Sequence, residues 1–268
     1  MERDDAMNGS YGQSWYKVYG YAGKTVTWCP SDSEERFDAH MADPKKRALL
    51  EKYGWTRDNV SYTFNKDGFR SEEFTGGVND SVVFLGCSLT AGIGVDLESS
   101  WAYKVANTFG LRRYNLGIGA GSADTCFRLA HHWIPRLRPK YVVMLTPMVG
   151  RMEVVLDEQG IVQLLPNSFA HLDQHKRNEP FYNSWLSHPA NTELNRLKNV
   201  MGVQTICNSI GVPLVEMSVD DTYFKGKAII LDSDARDLMH PGREWNEYIA
   251  QMFIEKLSEL PKIEMEEA

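Results

Sequence analysis

The sequence predicts an α/β fold in which a parallel sheet is covered by helices on both faces. Two observations lead to this prediction. From residue 81 onward, short apolar runs alternate with segments that repeat at helical spacing. The first run, Ser81–Gly86, is almost wholly apolar and ends in glycine, as buried parallel strands commonly do. Because ligands of such sheets bind at the carboxyl ends of the strands, the residues that directly follow each run are the first candidates for function.

Five short segments are predicted to be strands, and four helical segments lie between or after them. In chain order the strands are Ser81–Gly86, Arg113–Leu116, Lys140–Leu145, Pro213–Met217 and Ala228–Leu231. The helices cover Ser99–Phe109, Cys126–Leu137, 194–211 and Trp245–Leu257. The segment 150–189 breaks the alternation because it is long, polar and rich in turn residues. It is predicted to be an insertion that shapes a pocket.

Residues 1–78 are aromatic and irregular, and we expect them to form a prelude before the main domain at 79–262. Asp43 followed by Pro44 predicts the start of a short helix that runs to about Tyr53. Alternating apolar residues at 60, 62 and 64, followed by the turn signal Asn65–Gly68, predict a small hairpin. The best candidate for a linker is Glu72–Asp80, and residues 263–268 form an acidic tail.

The overall charge and the cysteines exclude several classes of protein. With 36 acidic and 29 basic side chains, the net charge of −7 gives no reason to expect nucleic-acid binding, which needs clustered cations. The one tight basic cluster, Lys45–Arg47, fits a solvated helix face. No secretory signal or membrane-length apolar run is visible, so a cytoplasmic location and no membrane contact are expected. Zinc ribbons and thioredoxin-like motifs are excluded because no CxxC pair occurs among Cys29, Cys87, Cys126 and Cys207.

A serine follows the first predicted strand directly, in the segment Gly86-Cys87-Ser88-Leu89-Thr90. On a sharp turn at the end of a strand, its hydroxyl can project from the sheet, and nearby backbone N–H groups can face an anion. Ser88 is therefore a candidate nucleophile. The alternative is a turn in which the serine only caps the next helix.

A histidine with an aspartate three residues earlier lies just before the last helix, in Asp237-Leu238-Met239-His240-Pro241. A serine nucleophile needs a base, and histidine is the usual one. The second nitrogen of that histidine needs an acceptor, which Asp237 can supply from the same local turn. The alternative is a polar loop that caps the closing helix.

Small residues follow the second predicted strand, in the block Asn115–Ser122, which contains Gly117, Gly119, Ala120 and Gly121. They allow backbone N–H groups to approach a substrate oxygen, as an oxyanion hole requires. The alternative is a tight strand-to-helix turn. A dinucleotide site is excluded because the block follows the second strand and has no acidic ribose partner at the right distance.

Together the three blocks resemble those of the SGNH (GDSL-type) serine hydrolase family. The resemblance rests on 86–92, 115–122 and 237–241, in matching order across about 81–260. It implies a three-layer α/β/α sandwich of the flavodoxin-like kind with about five parallel strands. It also implies that Ser88 attacks an acyl carbonyl, that His240 acts as base and then as acid, and that Asp237 orients His240. The backbone N–H of Ser88 and one from the glycine block would hold the oxyanion.

The sequence departs from the family pattern at three places. Cys87 stands where the family usually has aspartate, a position that is normally structural. Ala120 stands where glycine is usual, so either the Ala120 amide or, after a shift of one residue, that of Gly121 would be the second oxyanion donor. After the third strand the family places an Asn that donates to the oxyanion, and here it is missing. Loss of one such donor costs about 2.7–4 kcal/mol at the transition state. Thr146 and Arg151 are the candidates to replace it.

The resemblance implies a serine esterase that removes an acyl group, such as acetyl, from a carbohydrate or another polar small molecule, with no metal or cofactor. Two alternatives stay open: a lipase or thioesterase for longer acyl chains, and a non-catalytic glycan-binding or structural module on the same fold. Oligomeric state is not indicated. In the insertion, His171 and His175 have the spacing of metal ligands but lack a third partner, and Tyr182 with Trp185 could form a platform for a sugar.

Overall fold

A four-stranded parallel sheet is the centre of the molecule in the computed structural model, which describes residues 16–156, 160–165, 180, 184–185, 188–224 and 234–261. Its strands are β3 (Ser81–Leu85), β4 (Arg112–Asn115), β5 (Tyr141–Thr146) and β8 (Leu214–Ser218). The spatial order is β4-β3-β5-β8, and every neighbouring pair is parallel. From β3 the chain continues to β4 on one side of it, and then crosses to β5 on the other side. The strand order therefore reverses between β3 and β5, and α/β sheets usually bind ligands at such a point.

Helices cover both faces of this sheet, so the predicted α/β/α sandwich is confirmed. The main helices are α4 (Trp101–Thr108), α5 (Ala123–Leu137), α6 (Pro189–Ser209) and α7 (Arg243–Ser258). Each lies within a few residues of its predicted range. The predicted fifth strand, Ala228–Leu231, lies outside the described residues, as does the acidic tail 263–268.

Alternate residues of each strand enter two separate cores, because successive side chains of a strand point to opposite faces. Val82 and Phe84 of β3 pack with α4 and α7, where Trp101 stacks on Phe253 at a centroid distance of 4.9 Å. Val83 and Leu85 pack on the other face with α5 and α6. All five β3 residues are buried, which explains the uninterrupted apolar run in the sequence.

The N-terminal residues form a third core that packs against the sandwich. It contains α1 (Glu34–Ala42), α2 (Pro44–Lys52) and a two-stranded antiparallel ribbon of β1 (Thr25–Val26) and β2 (Tyr62–Thr63). Asp43 caps α2 as predicted, accepting the amide of Lys45 at 2.9 Å. Leu50, Trp55 and Tyr62 pack there against Val95 and Ala235 of the main domain.

The hairpin predicted around Asn65–Gly68 is wrong. The turn itself exists, since the Gly68 amide donates to the Asn65 carbonyl at 2.9 Å. However, β2 pairs with β1, which lies 38 residues upstream, rather than with a strand after the turn. Alternation at 60, 62 and 64 indicates a strand but does not identify its partner.

The predicted linker and the predicted insertion both contain fixed structure. In the segment Glu72–Asp80, the Gly76 amide donates to the Tyr114 hydroxyl at 2.6 Å, which holds the segment along β4.

The insertion begins with an antiparallel hairpin of β6 (Met152–Leu156) and β7 (Gly160–Leu164). Glu153 of β6 forms a buried ion pair with Arg128 of α5 at 2.6 Å. The hairpin is therefore attached to the helix that follows the glycine block.

Candidate active site

Ser88 is the first residue of α3 (Ser88–Ala91), a single helical turn that is separated from β3 by two residues, Gly86 and Cys87. Gly86 makes this sharp exit possible, because a Cβ at that position would lie 2.0 Å from Thr90 Oγ1 and 2.9 Å from the Leu145 carbonyl oxygen. The first amides of a helix have no intrahelical partner. Within the described residues, the Ser88 N–H makes no hydrogen bond and can be donated to a ligand.

Asp237 and His240 form a hydrogen-bonded pair, as predicted from their spacing. His240 Nδ1 lies 2.6 Å from Asp237 Oδ2, and the amides of Met239 and His240 donate to Asp237 Oδ1 at 3.1 and 3.0 Å. Leu238 between them has a φ of 50°, a strained left-handed conformation that these bonds hold in place. With Nδ1 committed to Asp237, Nε2 is the nitrogen available to a substrate.

Two opposing effects act on the carboxyl group of Asp237. Burial raises its pKa, but the hydrogen bonds and the charge of His240 outweigh burial, so the pKa lies below the usual value. Asp237 is therefore a carboxylate near neutral pH. A carboxylate at this position fixes the ring orientation of His240 and stabilises its protonated form.

Ser88 and His240 line the same cavity, which has a volume of about 460 Å³. This size is typical of pockets for small molecules. No hydrogen bond joins the Ser88 hydroxyl to the His240 ring within the described residues. Catalytic hydrogen bonds often become short only when substrate is bound, so a shared cavity is the relevant geometry.

The N-terminal residues that the structure describes, from residue 16 onward, form one wall of the cavity. The lining residues from this segment include Val18, Tyr21, Pro30 and Phe64. The rings of Tyr21 and Phe64 are stacked at a centroid distance of 4.9 Å. Ile93, Ile118, Leu165 and Met239 extend the apolar lining. The walls are thus mainly apolar, whereas Ser88 and Ala120 follow the carboxyl ends of β3 and β4.

Ala120 is the better of the two predicted oxyanion donors. It lines the cavity, has a strained φ of 61°, and its amide makes no hydrogen bond within the described residues. The prediction of Gly121 is wrong, because its amide donates to the Ile118 carbonyl at 3.0 Å. Asn115 fixes the block by accepting the Gly117 amide at 2.9 Å and donating to the Thr90 carbonyl at 2.7 Å.

Of the two candidates for the missing Asn, only Arg151 reaches the cavity. Thr146 is fully buried and its hydroxyl donates to Glu216, so this candidate is wrong. Arg151 lines the cavity, where its guanidinium lies 3.4 Å from the Gly121 carbonyl and 3.7 Å from Met148 Sδ. These long contacts leave Arg151 donors for a developing negative charge.

Arg70 supports the far end of α3 and was not assigned a role from the sequence. The side chain is buried and donates to the carbonyls of Gly92 and Val95, the latter at 3.0 Å. Its guanidinium also lies 4.5 Å from the ring centroid of Tyr62. The available signal in the sequence is its place two residues after the turn signal Asn65–Gly68. Arg70 therefore connects α3, the turn that begins with Ser88, to the N-terminal segment.

Arg236 anchors the Asp237–His240 loop and was also missed. It is fully buried, and its Nη2 lies 2.7 Å from Oδ2 of the equally buried Asp32. The same guanidinium donates to the Arg57 carbonyl at 2.8 Å and stacks on Trp28 at 3.9 Å. The partners lie 204 residues apart, so no local pattern reveals them.

Replacing Arg236 by alanine is expected to lower the free energy of unfolding by about 3–5 kcal/mol, because Asp32 would remain as a buried, uncompensated charge. Urea denaturation measures this. Arg112→Ala is the matched control, since its pair with Asp80 is solvent-exposed and worth less than about 1 kcal/mol. The double variant Asp32→Leu/Arg236→Met, which removes both charges, should recover part of the loss. An equal cost for Arg236→Ala and Arg112→Ala would contradict the anchoring role.

The remaining predicted features fall into two groups. His171, His175 and Tyr182 lie outside the described residues, and Trp185 is half-buried and does not line the cavity. The four cysteines are buried free thiols. Burial raises the pKa of Cys29, which borders the cavity, to about 11, so it is a poor nucleophile. Cys87 packs in the core beside α4.

In the described part of the chain, no group of three or more His, Cys, Asp or Glu side chains is arranged to hold a metal ion. None of its helices combines the length and the apolar character needed to cross a bilayer.

No family model and no curated protein matches the chain. Among solved structures, it is similar to an acetyl xylan esterase from the rumen bacterium Butyrivibrio proteoclasticus, at 12% identity over 68% of this chain with a TM-score of 0.35. The chain covers 64% of that esterase, which is less than two thirds of its length. It is also similar to the SGNH-hydrolase family esterase AlinE4, at 12% identity over 72% of this chain and 87% of that one, with a TM-score of 0.32.

A third similar structure is a putative lipolytic protein of the G-D-S-L family from Desulfitobacterium hafniense. Here the identity is 15%, the coverage is 66% of this chain and 99% of that one, and the TM-score is 0.33. At such identities and scores these are slight likenesses, and the chemistry of this chain must be judged from its own side chains. One of these similar structures is described as an SGNH-hydrolase family esterase and another as a lipolytic protein of the G-D-S-L family.

Proposed function

We propose that this protein is a serine esterase that hydrolyses acyl esters through Ser88, His240 and Asp237. The observation that carries the proposal is the Asp237–His240 hydrogen bond of 2.6 Å, held in the cavity that Ser88 also lines. An aspartate that fixes one histidine nitrogen while a serine shares the cavity is the arrangement that activates a hydroxyl for acyl transfer. The proposed substrate is an acyl ester, such as an acetyl ester, of a carbohydrate or another polar small molecule.

In the proposed mechanism, the Ser88 hydroxyl attacks the ester carbonyl while His240 Nε2 takes its proton. The carbonyl oxygen becomes an oxyanion, which the amides of Ser88 and Ala120 stabilise and to which Arg151 adds positive charge. His240 then gives the proton to the leaving alcohol, and an acyl group remains on Ser88. Water, deprotonated by His240, attacks the carbonyl of this acyl-enzyme. The bond to Ser88 Oγ then breaks, the carboxylic acid leaves, and His240 returns the proton to the serine. Asp237 stabilises the imidazolium in both halves of the reaction.

A second candidate function follows from the apolar lining contributed by Tyr21, Phe64 and Ile118. Such walls favour an acyl chain longer than acetyl, which would make the protein a lipase or a thioesterase. A series of 4-nitrophenyl esters from acetate to decanoate separates these functions. A maximum of kcat/KM at acetate supports the first candidate, and a maximum at longer chains supports the second.

Fluorophosphonate labelling tests the shared chemistry. We expect one covalent adduct per chain, which peptide mapping places on Ser88, together with hydrolysis of 4-nitrophenyl acetate. Denatured protein serves as the control, because an ordinary serine hydroxyl does not react. A folded protein that takes up no label and hydrolyses no ester would contradict the proposal and favour a non-catalytic binding module.

A further inference from the structure

Three arginines line the cavity of the proposed site, and no carboxylate does. Arg36, Arg70 and Arg151 border it together with Ser88 and His240. Within the described residues, none of the lining side chains is an aspartate or a glutamate. The chain as a whole has a net charge of −7, so its composition would predict the opposite sign. The positive charge is therefore a local property of this cavity.

Two buried or half-buried carboxylates near the site are paired with arginines outside the cavity lining. Asp32 pairs with Arg236 at 2.7 Å and Asp96 with Arg243 at 3.1 Å, so each pair has little net charge when seen from a distance. In the proposed mechanism Asp237 is charged while His240 is neutral, which leaves one negative charge against the three arginines of the cavity. Within the described residues, none of these three arginines forms a direct ion pair with a carboxylate, so positive charge outweighs negative charge around the cavity.

Two of the three arginines contribute charge without being the best ligands for an anion. Arg70 is buried, and its donors bind backbone carbonyls, including those of Ser61 at 2.8 Å and Val95 at 3.0 Å. Arg151 lies against Gly121 and is the candidate donor to the reacting oxygen. Carbonyl groups are dipoles and leave the charge of a guanidinium uncompensated.

Arg36 is the arginine that can bind a substrate group directly. It lies half-buried on α1, and within the described residues its guanidinium has no carboxylate partner. Of the three acids beside it on the helix, Glu34 and Asp38 bind Arg57 instead. The third, Glu35, is adjacent in sequence, so its side chain points to a different side of the helix. An arginine with free donors at a cavity suits a carboxylate, since its planar fork matches the two oxygens.

We infer that the ester hydrolysed at this site carries a carboxylate, which Arg36 binds while Arg70 and Arg151 make the cavity electropositive. The inference rests on the proposed esterase function and specifies its substrate class. It also accounts for the combination of apolar walls with cations, because an acidic ester presents both an apolar skeleton and a negative charge. The carboxylate can belong to either the acyl part or the alcohol part, and the two arms of the test separate these cases.

The test compares charged esters with neutral partners of the same size. For the acyl part, kcat/KM is measured for the 4-nitrophenyl monoester of succinic acid and for 4-nitrophenyl butyrate. For the alcohol part, it is measured for 4-acetoxybenzoate and 4-acetoxybenzamide. In one of the two arms we expect a preference of about tenfold or more for the charged ester, the size of one hydrogen-bonded ion contact. The preference should shrink as salt is added.

Arg36→Gln should remove this preference, because it lowers kcat/KM for the charged ester far more than kcat/KM for the neutral ester. Arg47→Gln on α2 is the matched control, because this arginine is exposed, pairs with Glu51 and does not border the cavity. It should retain the preference. The inference is overturned if neither charged ester exceeds its neutral partner, or if Arg36→Gln slows both partners equally.

A binding measurement distinguishes this inference from the proposed function itself. Calorimetric titration of the folded wild type with benzoate and with benzamide needs no turnover. Tighter binding of benzoate that Arg36→Gln abolishes, in a protein that hydrolyses neither arm, would refute the esterase function and keep the anion site. Hydrolysis of the neutral esters combined with equal binding of benzoate and benzamide would keep the esterase and refute the anion site.

Discussion

Replacing Ser88 by alanine should lower the rate of ester hydrolysis to the background rate. For a serine that works as part of a triad, the loss of kcat is on the order of 10⁶-fold, because His240 and Asp237 have no nucleophile to activate. Fluorophosphonate labelling should disappear with the activity. The measurement is hydrolysis of 4-nitrophenyl acetate under substrate saturation, with thermal unfolding followed in parallel.

Ser258→Ala is the matched control for this substitution. Ser258 is exposed at the end of α7 and donates to the Ile254 carbonyl of its own helix at 2.7 Å, away from the cavity. Its activity and labelling should equal those of the wild type. Ser88→Ala is a small change in a buried site, so its unfolding transition should stay close to that of the wild type. Undiminished turnover by a folded Ser88→Ala protein would show that another group is the nucleophile.

The second large effect is expected for Asp237→Asn, which should lower kcat about 10⁴-fold. An amide can donate its N–H to His240, which favours the wrong tautomer and leaves Nε2 protonated and unable to act as a base. The substitution also removes the charge that stabilises the imidazolium. Because the shape of the side chain is kept, KM should change far less than kcat. Asp38→Asn is the control, since that exposed carboxylate binds Arg57 on the surface.

The same carboxyl group predicts how stability depends on pH. Its folded pKa lies below its usual value, so the unfolded state binds its proton more readily. The contribution of Asp237 is therefore fully present above the unfolded pKa of about 3.9 and is lost as pH falls through the lower folded value. Urea midpoints measured from pH 7 to pH 3 should fall less steeply for Asp237→Asn than for the wild type. Parallel curves for the two proteins would contradict the assigned pKa direction.

Sequence patterns identified the parts of the fold that depend on local physics. Buried strands such as β3 and amphipathic helices such as α5 carry their periodicity in the chain, and the Asp237–His240 pair spans a single turn. The ribbon of β1 with β2 and the pair of Asp32 with Arg236 depend on contacts between distant segments. No spacing rule indicates such contacts, because the partners meet only after the sheet and the third core have formed.

The corrections at the candidate site have a related cause. Gly121 and Thr146 have suitable chemistry for donating to an oxyanion, and only the three-dimensional structure shows that Ile118 and Glu216 already accept those hydrogens. Residue type indicates which hydrogen bonds a group can form. Which bonds remain available depends on packing, and for Ala120 and Arg151 the packing leaves donors facing the cavity.

The cavity wall supplied by the N-terminal residues has a consequence for protein engineering. A shortened protein that retains only the strand-helix alternation would lose Asp32, the buried counterion of Arg236, along with that wall, so a minimal catalytic core is a poor design. Point substitution is the better route. Positions such as Val18, Tyr21 and Phe64 border the cavity without belonging to the segments that carry the reacting groups. For the proposed esterase, substrate range can therefore be redesigned from a part of the chain that takes no part in bond making or breaking.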